Sequence, residues 1–332
     1  MNTTVAGAAL LEVRDLVVSF DTPDGVVEAV RGLSFDVLRG RTLGIVGESG
    51  SGKSVSTQSI IGLVRGARVG GHARFEGREL LGLPEPALRA VRGQGIAMIF
   101  QNPMSSLHPL YPIGWQIVEM IQAHEKVPAA QARTHAIALL GRVGIPRPER
   151  RIDDYPHQYS GGMLQRAMIA MAIALNPRIL VADEPTTALD VTVQAQILRL
   201  LRQLQDEFGT AIIMITHDLG VIADLAHEVL VMYAGRAMEQ ATQADLFRAP
   251  SHPYTRGLLQ SRPRLDTLDG RLTPIPGQPP SLIAPPPGCR FQPRCVEAIA
   301  LCAERMPRLL DLAGGAPGHC SACWLTQKEA LA

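Results

Sequence analysis

Cysteine is missing from the first 288 residues of this chain; the five it has lie between Cys289 and Cys323. That placement excludes a disulfide framework for the whole fold and marks a local module instead. An excess of basic charge is missing too: 32 Lys and Arg against 31 Asp and Glu leave a formal net charge of +1. Proteins that hold a phosphate backbone carry a basic surplus, so nucleic acid is not expected as the main partner. No apolar run reaches the ~20 residues that a spanning helix needs, and the longest, residues 167–175, is about half that, so the chain is not expected to cross a membrane by itself. The first fifteen residues, MNTTVAGAALLEVRD, place no basic residue ahead of their short apolar run and offer no cleavage site. A secretory leader is therefore not expected, and a cytosolic compartment is. Internal repeats and heptad arrays are absent as well. What is present is a chain of 332 residues, 46% hydrophobic, enough to bury a full core.

Five short apolar runs, RTLGIVG, GIAMIF, RILVADE, AIIMITHD and EVLVMYAG, recur between helical segments and end in turn residues. Runs of that length without polar alternation read as buried strands of a mostly parallel sheet in an α/β domain. Between the second and third, residues 111–175 are helical in pattern and hold no strand candidate, which predicts a helical insertion. Beyond residue 249 the texture changes. LTPIPGQPPSLIAPPPG carries seven prolines in seventeen residues and reads as an extended linker or surface wrap.

Gly47, Gly52, Lys53 and Ser54 fit the pattern G-x-x-x-x-G-K-[ST], with Ser49, Gly50 and Ser51 between them. The loop follows a strand candidate and precedes a helical run. In that setting glycines let backbone N–H groups curl around phosphates at a helix N-terminus bearing about half a positive charge. Lys53 would reach the β and γ phosphates and Ser54 would bind Mg²⁺; the plainer alternative is a glycine-rich turn. RILVADEP then ends a buried strand in Asp183 and Glu184. An acid at a strand's C-terminal end faces the ligand crevice of such a sheet, so Asp183 suits Mg²⁺ and Glu184 the polarisation of a water. Either acid alone also reads as a solvated strand end or a helix cap.

Ser160, Gly161 and Gly162 form a second donor set, at the start of another helix. An isolated Ser-Gly-Gly reads as an N-cap. Here GESGSGKS, IFQNP, YSGGM, LVADEP, TTALD and MITHD follow one another in the order and spacing of the ABC-transporter ATPases, which the chain resembles from about residue 10 to residue 250. The resemblance implies a P-loop NTPase (RecA-like) fold with a helical subdomain. It also implies that Ser160, Gly161 and Gly162 touch the ATP held by an opposing subunit, two subunits clamping two ATP molecules head to tail. By motif, Gln101 becomes the residue that senses Mg²⁺ and the membrane partner, Asp190 belongs to the loop crossing the dimer, and His217 holds the γ-phosphate. Phe20, on the strand EVRDLVVSF, falls at the adenine-stacking position, although an aromatic on a strand is more often core; His217 alone would read as a strand-end histidine. Met163 stands where most of the family has glutamine, Leu164 where the peptide-importer branch has arginine, and His108 where asparagine is common.

GESGSGKSVS, IFQNPMSSLHP, HPYTRGLL and the run from IPGQPP to PPPGCRFQPRC resemble the ATP-binding subunits of dipeptide, oligopeptide and nickel importers. The expected organisation is an ATP-binding domain over residues 1–250, with its helical subdomain at about 111–175, and a small extension over 251–332. The expected function is ATP hydrolysis that powers import of di- or oligopeptides, with nickel or another small solute as the alternative cargo. A soluble ABC ATPase is the third reading, disfavoured because the chain has neither a long coiled coil nor a second cassette. The resemblance implies a second homologous ATPase subunit, two permeases and an external binding protein as partners, at the cytoplasmic face of the membrane.

The cysteines come last. They read as small buried residues, as a zinc site or as an iron–sulfur site; the intervals from Cys289 to Cys295 to Cys302 are wider than the close pairs typical of structural zinc. Importers of this branch show a similar pattern, which implies a 4Fe-4S cluster on Cys289, Cys295, Cys302 and Cys323, with Cys320 as the extra thiol. In that pattern the last ligand lies four residues after a histidine, here His319.

Overall fold

The structure, a computed structural model, describes residues 9–187, 189–261 and 274–327, and among the described residues it has twelve strands. In chain order they are β1 (Leu11–Thr22), β2 (Gly25–Val37), β3 (Thr42–Val46), β4 (Ala67–Phe75), β5 (Arg78–Glu79) and β6 (Ile96–Ile99). Then follow β7 (Ile179–Asp183), β8 (Ala211–Thr216), β9 (Glu228–Tyr233), β10 (Arg236–Thr242), β11 (Leu310–Asp311) and β12 (Cys320–Ser321). The start of the N-terminal stretch, Ala188 in the TTALD motif and the first two residues of the proline-rich run lie outside the described residues.

The chain forms two compact units. One comprises Leu38–Arg41 and Gly82–Met214; the other comprises the described residues of Ala8–Val37, Thr42–Leu81 and Ile215–Ala332.

In the first unit β6 and β7 pair in parallel from Ile96↔Ile179 to Ile99↔Ala182, and β8 lies on the other side of β7. Every residue of β6 and β7 is buried. That is why these runs lack polar alternation: apolar neighbours cover both faces. Among the described residues no strand lies between β6 and β7. The intervening chain forms the helices Ile113–His124, Ala129–Arg142 and Gly161–Ile173 with shorter turns between them. Ile113, Ile117 and Ile121 recur at four-residue spacing and are buried, as are Ala132, Ala136, Leu139 and Leu140 on the next helix. The small alanines let the two helices approach closely. Val191–Phe208 buries Ile197, Leu201 and Leu204 on one stripe and stops at Gly209, whose φ of 64° is the left-handed C-terminal cap that glycine adopts without strain.

In the second unit β3 pairs in parallel with β9, from Leu43↔Glu228 to Val46↔Val231, and β9 continues antiparallel into β10, β12 and β11. The helix Lys53–Ile60 follows β3 after a six-residue loop. A separate antiparallel sheet, in the order β2-β1-β4-β5, is built from residues 11–37 and 67–79; of its strands the sequence marks only the one that bears Phe20. Its strands alternate imperfectly because β1 carries register shifts near Val13 and Val17. Such irregularities break the period-2 signal by which strands are read from sequence. Among the described residues no helix is long and apolar enough to cross a membrane.

One close approach in the first unit invites a test. Gly114 donates its N–H to Ile152 O at 2.8 Å, and a Cβ there would stand 2.0 Å from Ile152 Cγ1 and 2.7 Å from its carbonyl oxygen. Gly114→Ala should therefore cost about 1–3 kcal/mol by overpacking, read as a lowered denaturation midpoint. An unchanged midpoint would mean that the segment around Ile152 yields freely.

Candidate functional site

The phosphate loop lies in the second unit. Lys53, only 5% exposed, donates from Nζ to the carbonyls of Gly47 at 2.7 Å and Glu48 at 3.0 Å. A buried ammonium needs such acceptors, and the loop supplies them by folding around its own lysine. Neither flanking glycine has room for a side chain. A Cβ at Gly47 would meet Met232 O at 2.1 Å, and one at Gly52, where φ is 94°, would meet Ala29 O at 2.3 Å. The helix Lys53–Ile60 begins at Gly52 with no side-chain cap, which leaves its first N–H groups for a ligand. Ser51 Oγ is buried without a hydrogen-bond partner. An orphaned hydroxyl beside an uncapped helix start fits an anion such as a phosphate group. Ser49 and Gly50 are exposed and Ser54 is half-buried.

Two acids end β7 in the first unit. Asp183 is 3% exposed. Glu184 follows at φ 46°, a left-handed conformation that costs a glutamate about 1–3 kcal/mol and persists where the surroundings enforce it. Its Oε2 accepts from Gln101 Nε2 at 2.8 Å and from Thr187 Oγ1 at 2.9 Å. Gln101 and Glu184, 83 residues apart in sequence, are thus brought together, with the carboxylate oriented by two neutral donors.

Ser160 caps Gly161–Ile173 by accepting from Met163 N, but at 3.4 Å, the weak end of the range. Ser160 and Gly161 are exposed, and nothing lies within 4 Å of a Cβ built on Gly161. A Cβ built on Gly162 would stand 3.2 Å from Val193 Cγ1, and Asp190 caps the helix Val191–Phe208 through Val193 N at 2.9 Å. Leu164 is buried in the first turn of that helix, Gly161–Ile173. Phe20 is half-buried on β1, paired with Val27 and Ala67. His217, exposed, follows β8 just before Asp218 caps the helix Leu219–Leu225. His108 is a loop residue: its N–H donates to Gln116 Oε1 at 2.9 Å and its Nδ1 accepts from Leu110 N at 3.3 Å.

Four of the five cysteines, Cys289, Cys295, Cys302 and Cys323, line one cavity together with His252 and Phe291. Cys320 stands apart on β12, donating its thiol to Asp311 Oδ1 at 3.2 Å. Among the described residues no three His, Cys, Asp or Glu side chains stand close enough to hold a metal ion, and the cavity's volume is about 10 Å³. Nothing in this geometry corresponds to the 4Fe-4S ligand set that the family resemblance implies. The four thiols share this cavity without being arranged there as a set of metal ligands. Burial pushes the Cys289 thiol up to about 11 and raises Cys295 and Cys323 as well. Thiolate ligands would have to release those protons on binding. Burial and the neighbouring Asp311 carboxylate push Cys320 up to about 12.

Several polar residues that sequence reasoning passed over do much of the holding in the second unit. Glu239, fully buried, accepts from Ser251 N at 2.7 Å and His252 N at 2.8 Å, and its Oε1 lies 2.7 Å from His319 Nε2. His319 is thereby engaged with a carboxylate rather than with the cysteines. Arg290 pairs with Glu28 at 2.8 Å and donates to Ala234 O. Arg294 forks onto Glu48 of the phosphate loop. The only signal for either arginine was its place beside a cysteine in CRFQPRC.

Residues 30–187 match the ABC transporter family, and residues 238–302 match the oligopeptide/dipeptide transporter C-terminal region. The oligopeptide transport ATP-binding protein OppD of Salmonella typhimurium is 51% identical over 323 residues, covering 97% of this chain and 95% of the relative. The dipeptide transport ATP-binding protein DppD of Bacillus subtilis is 48% identical over 324 residues, covering 97% and 96%. Among solved structures, a dimeric ATP-binding cassette in a post-hydrolysis state with ADP and phosphate superposes with a TM-score of 0.64 at 25% identity, over 70% of this chain and 98% of that one. The protein cbiO1 from Clostridium perfringens, part of the ABC transporter complex cbiONQ, gives 0.61 at 28% identity, over 73% and 91%. With the nucleotide-binding loop, the acid-ended strand and the cysteine-bearing extension all in place, the chain belongs to the ABC transporter ATPases, in the branch of the oligopeptide and dipeptide transport ATP-binding proteins.

Proposed function

We propose that this chain is the ATP-hydrolysing subunit of an importer of di- or oligopeptides. The observation that carries the hydrolytic reading is Glu184, fixed at the end of a buried strand by Gln101 and Thr187. A carboxylate held by neutral donors keeps its charge and its aim, as a general base for water requires. Lys53, the N–H groups at the start of Lys53–Ile60 and Ser51 Oγ bind the phosphates of ATP; for Mg²⁺ the family resemblance names Ser54, Gln101 and Asp183. When bound, Mg²⁺ neutralises phosphate charge and orients the transferring group. Phe20 stacks on adenine and His217 donates to the γ-phosphate. Residues 1–250 serve as the ATP-binding domain and 251–332 as the extension.

The cargo reading rests on the relatives, which are oligopeptide and dipeptide transport proteins by name. Partners follow from exposed surfaces. Ser160 and Gly161, both exposed, offer donors outward to a second ATPase subunit, and Asp190 belongs to the crossing loop. After Gln101 the chain exposes Met104, Leu110, Tyr111 and Trp115, the last two stacked at 4.2 Å between ring centroids. Apolar side chains so exposed suit burial against permease subunits, which would hold the protein at the cytoplasmic face of the membrane. A heterodimer of two such ATPases, two permeases and an external binding protein complete the assembly. The four converging thiols support a 4Fe-4S cluster that pins the extension, with zinc as the alternative.

Glu184→Gln should leave ATP binding intact and lower turnover by about 10²- to 10⁴-fold, measured as phosphate release by the assembled transporter. Wild-type turnover in that variant removes Glu184 from the base role. Lys53→Ala should abolish ATP binding in an equilibrium titration, because the loop loses its cation.

For the cysteines, anaerobically purified protein should be brown, with broad absorbance that Cys289→Ser loses and Cys320→Ser keeps. Colourless protein with stoichiometric zinc overturns the iron–sulfur reading.

A further inference from the structure

A carboxylate inside a phosphate-binding loop is an electrostatic liability. Glu48 follows Gly47 directly, within the loop that Lys53 closes, and its main chain is committed to that loop: its carbonyl accepts from Lys53 Nζ at 3.0 Å and from Ser51 N at 3.2 Å. Its N–H donates to Tyr254 Oη at 2.9 Å. The side chain therefore travels with the loop wherever phosphate binds, and as a bare anion it would repel phosphate across a short, poorly screened distance.

Arg294 meets it. The guanidinium, 7% exposed, donates from Nη1 to Glu48 Oε2 at 2.7 Å and from Nη2 to Glu48 Oε1 at 3.0 Å, a two-pronged pairing that fixes both partners. Its remaining donors are also committed: Nε to Pro276 O at 2.8 Å, Nη2 to Ile275 O at 3.3 Å, and Nη1 to Tyr233 Oη at 3.1 Å. Tyr233 and Tyr254 lie 4.7 Å apart between ring centroids, and Phe291 packs on both at 5.4 and 5.3 Å. Arg294 closes the turn Gln292–Arg294, between Cys289 and Cys295. A residue of the C-terminal extension thus holds the loop at the point where the loop carries its own negative charge.

We propose that Arg294 is a positioning residue for ATP binding, which anchors Glu48 and cancels its charge so that the phosphate loop can accept an anion. The proposal rests on the reading of that loop as the ATP site. It assigns the extension a part in nucleotide affinity, whatever its thiols hold. Burial alone would make Arg294 structural; the charge role makes a different, signed demand on a second substitution.

The test measures equilibrium binding of radiolabelled ATP with Mg²⁺ to the full-length protein, at low and high salt, for four forms: wild type, Arg294→Gln, Glu48→Gln and the double variant. Arg294→Gln should weaken ATP binding about tenfold at low salt, the scale of one uncompensated charge near the phosphates, and by less at high salt, where screening shortens its reach. Adding Glu48→Gln should restore most of the lost affinity, because the offending charge is gone. Melting curves establish that each variant is folded; if Arg294→Gln does not fold, Arg294→Lys takes its place, keeping the charge but not the fork and retaining affinity better than a neutral side chain. Unchanged affinity in folded Arg294→Gln overturns the proposal, as does a loss that Glu48→Gln leaves uncorrected or that salt does not diminish. Lys53→Ala separates the two readings: if it binds ATP like wild type, the loop is not the ATP site, whereas its failure beside an unaffected Arg294→Gln sinks only the role of Arg294.

Discussion

A buried ammonium group tolerates no vacancy among its partners, and the second unit is arranged around one. Lys53 lies 5% exposed with its charge on the carbonyls of Gly47 and Glu48. To bring two successive carbonyls onto one nitrogen the chain must turn tightly after β3, against the backbone of Met232 and Ala29, where only glycine fits at positions 47 and 52. The same turn leaves the first amides of Lys53–Ile60 pointing outward. Strand, glycines, lysine and helix are consequences of one requirement, which is why they occur together in the sequence.

That coupling explains what could be read in advance. The runs at β3, β6, β7, β8 and β9 are legible because burial on both faces removes polar residues altogether, and Gly47 to Ser54 because several residue types are demanded at fixed spacing. The sheet β2-β1-β4-β5 was less legible: the β1 register shifts blur alternation, and the exposed face of β4 around Gly70 and Gly71 lacks the apolar pattern of a strand. Glu184 was named by its place after a strand, but nothing local announces its left-handed backbone or the glutamine 83 residues earlier that holds it. Pairings across such separations leave no periodic trace. The same holds for Arg294 and Glu48, separated by 246 residues.

The cysteine pattern shows the opposite difficulty. The family resemblance implied the four thiols that share a cavity and set Cys320 aside, yet a sequence pattern says nothing of the room between them. Nor did it show that the extension is fastened elsewhere: β12 pairs with β10 through Glu239↔Ser321 and Gln240↔Cys320, and the buried Glu239 carboxylate gathers two amides and the His319 ring. A carboxylate without solvent needs every one of those donors. The tail is thus attached by hydrogen bonds that do not involve the thiols.

Gly161 carries a consequence of another kind. With φ outside the left-handed region and open space where a Cβ would be, it is a glycine that this chain's own packing does not require. An alanine there would even favour the helix by as much as about 1 kcal/mol. Whether position 161 tolerates a side chain is thus decided by what approaches it from outside this polypeptide and not by the stability of the fold.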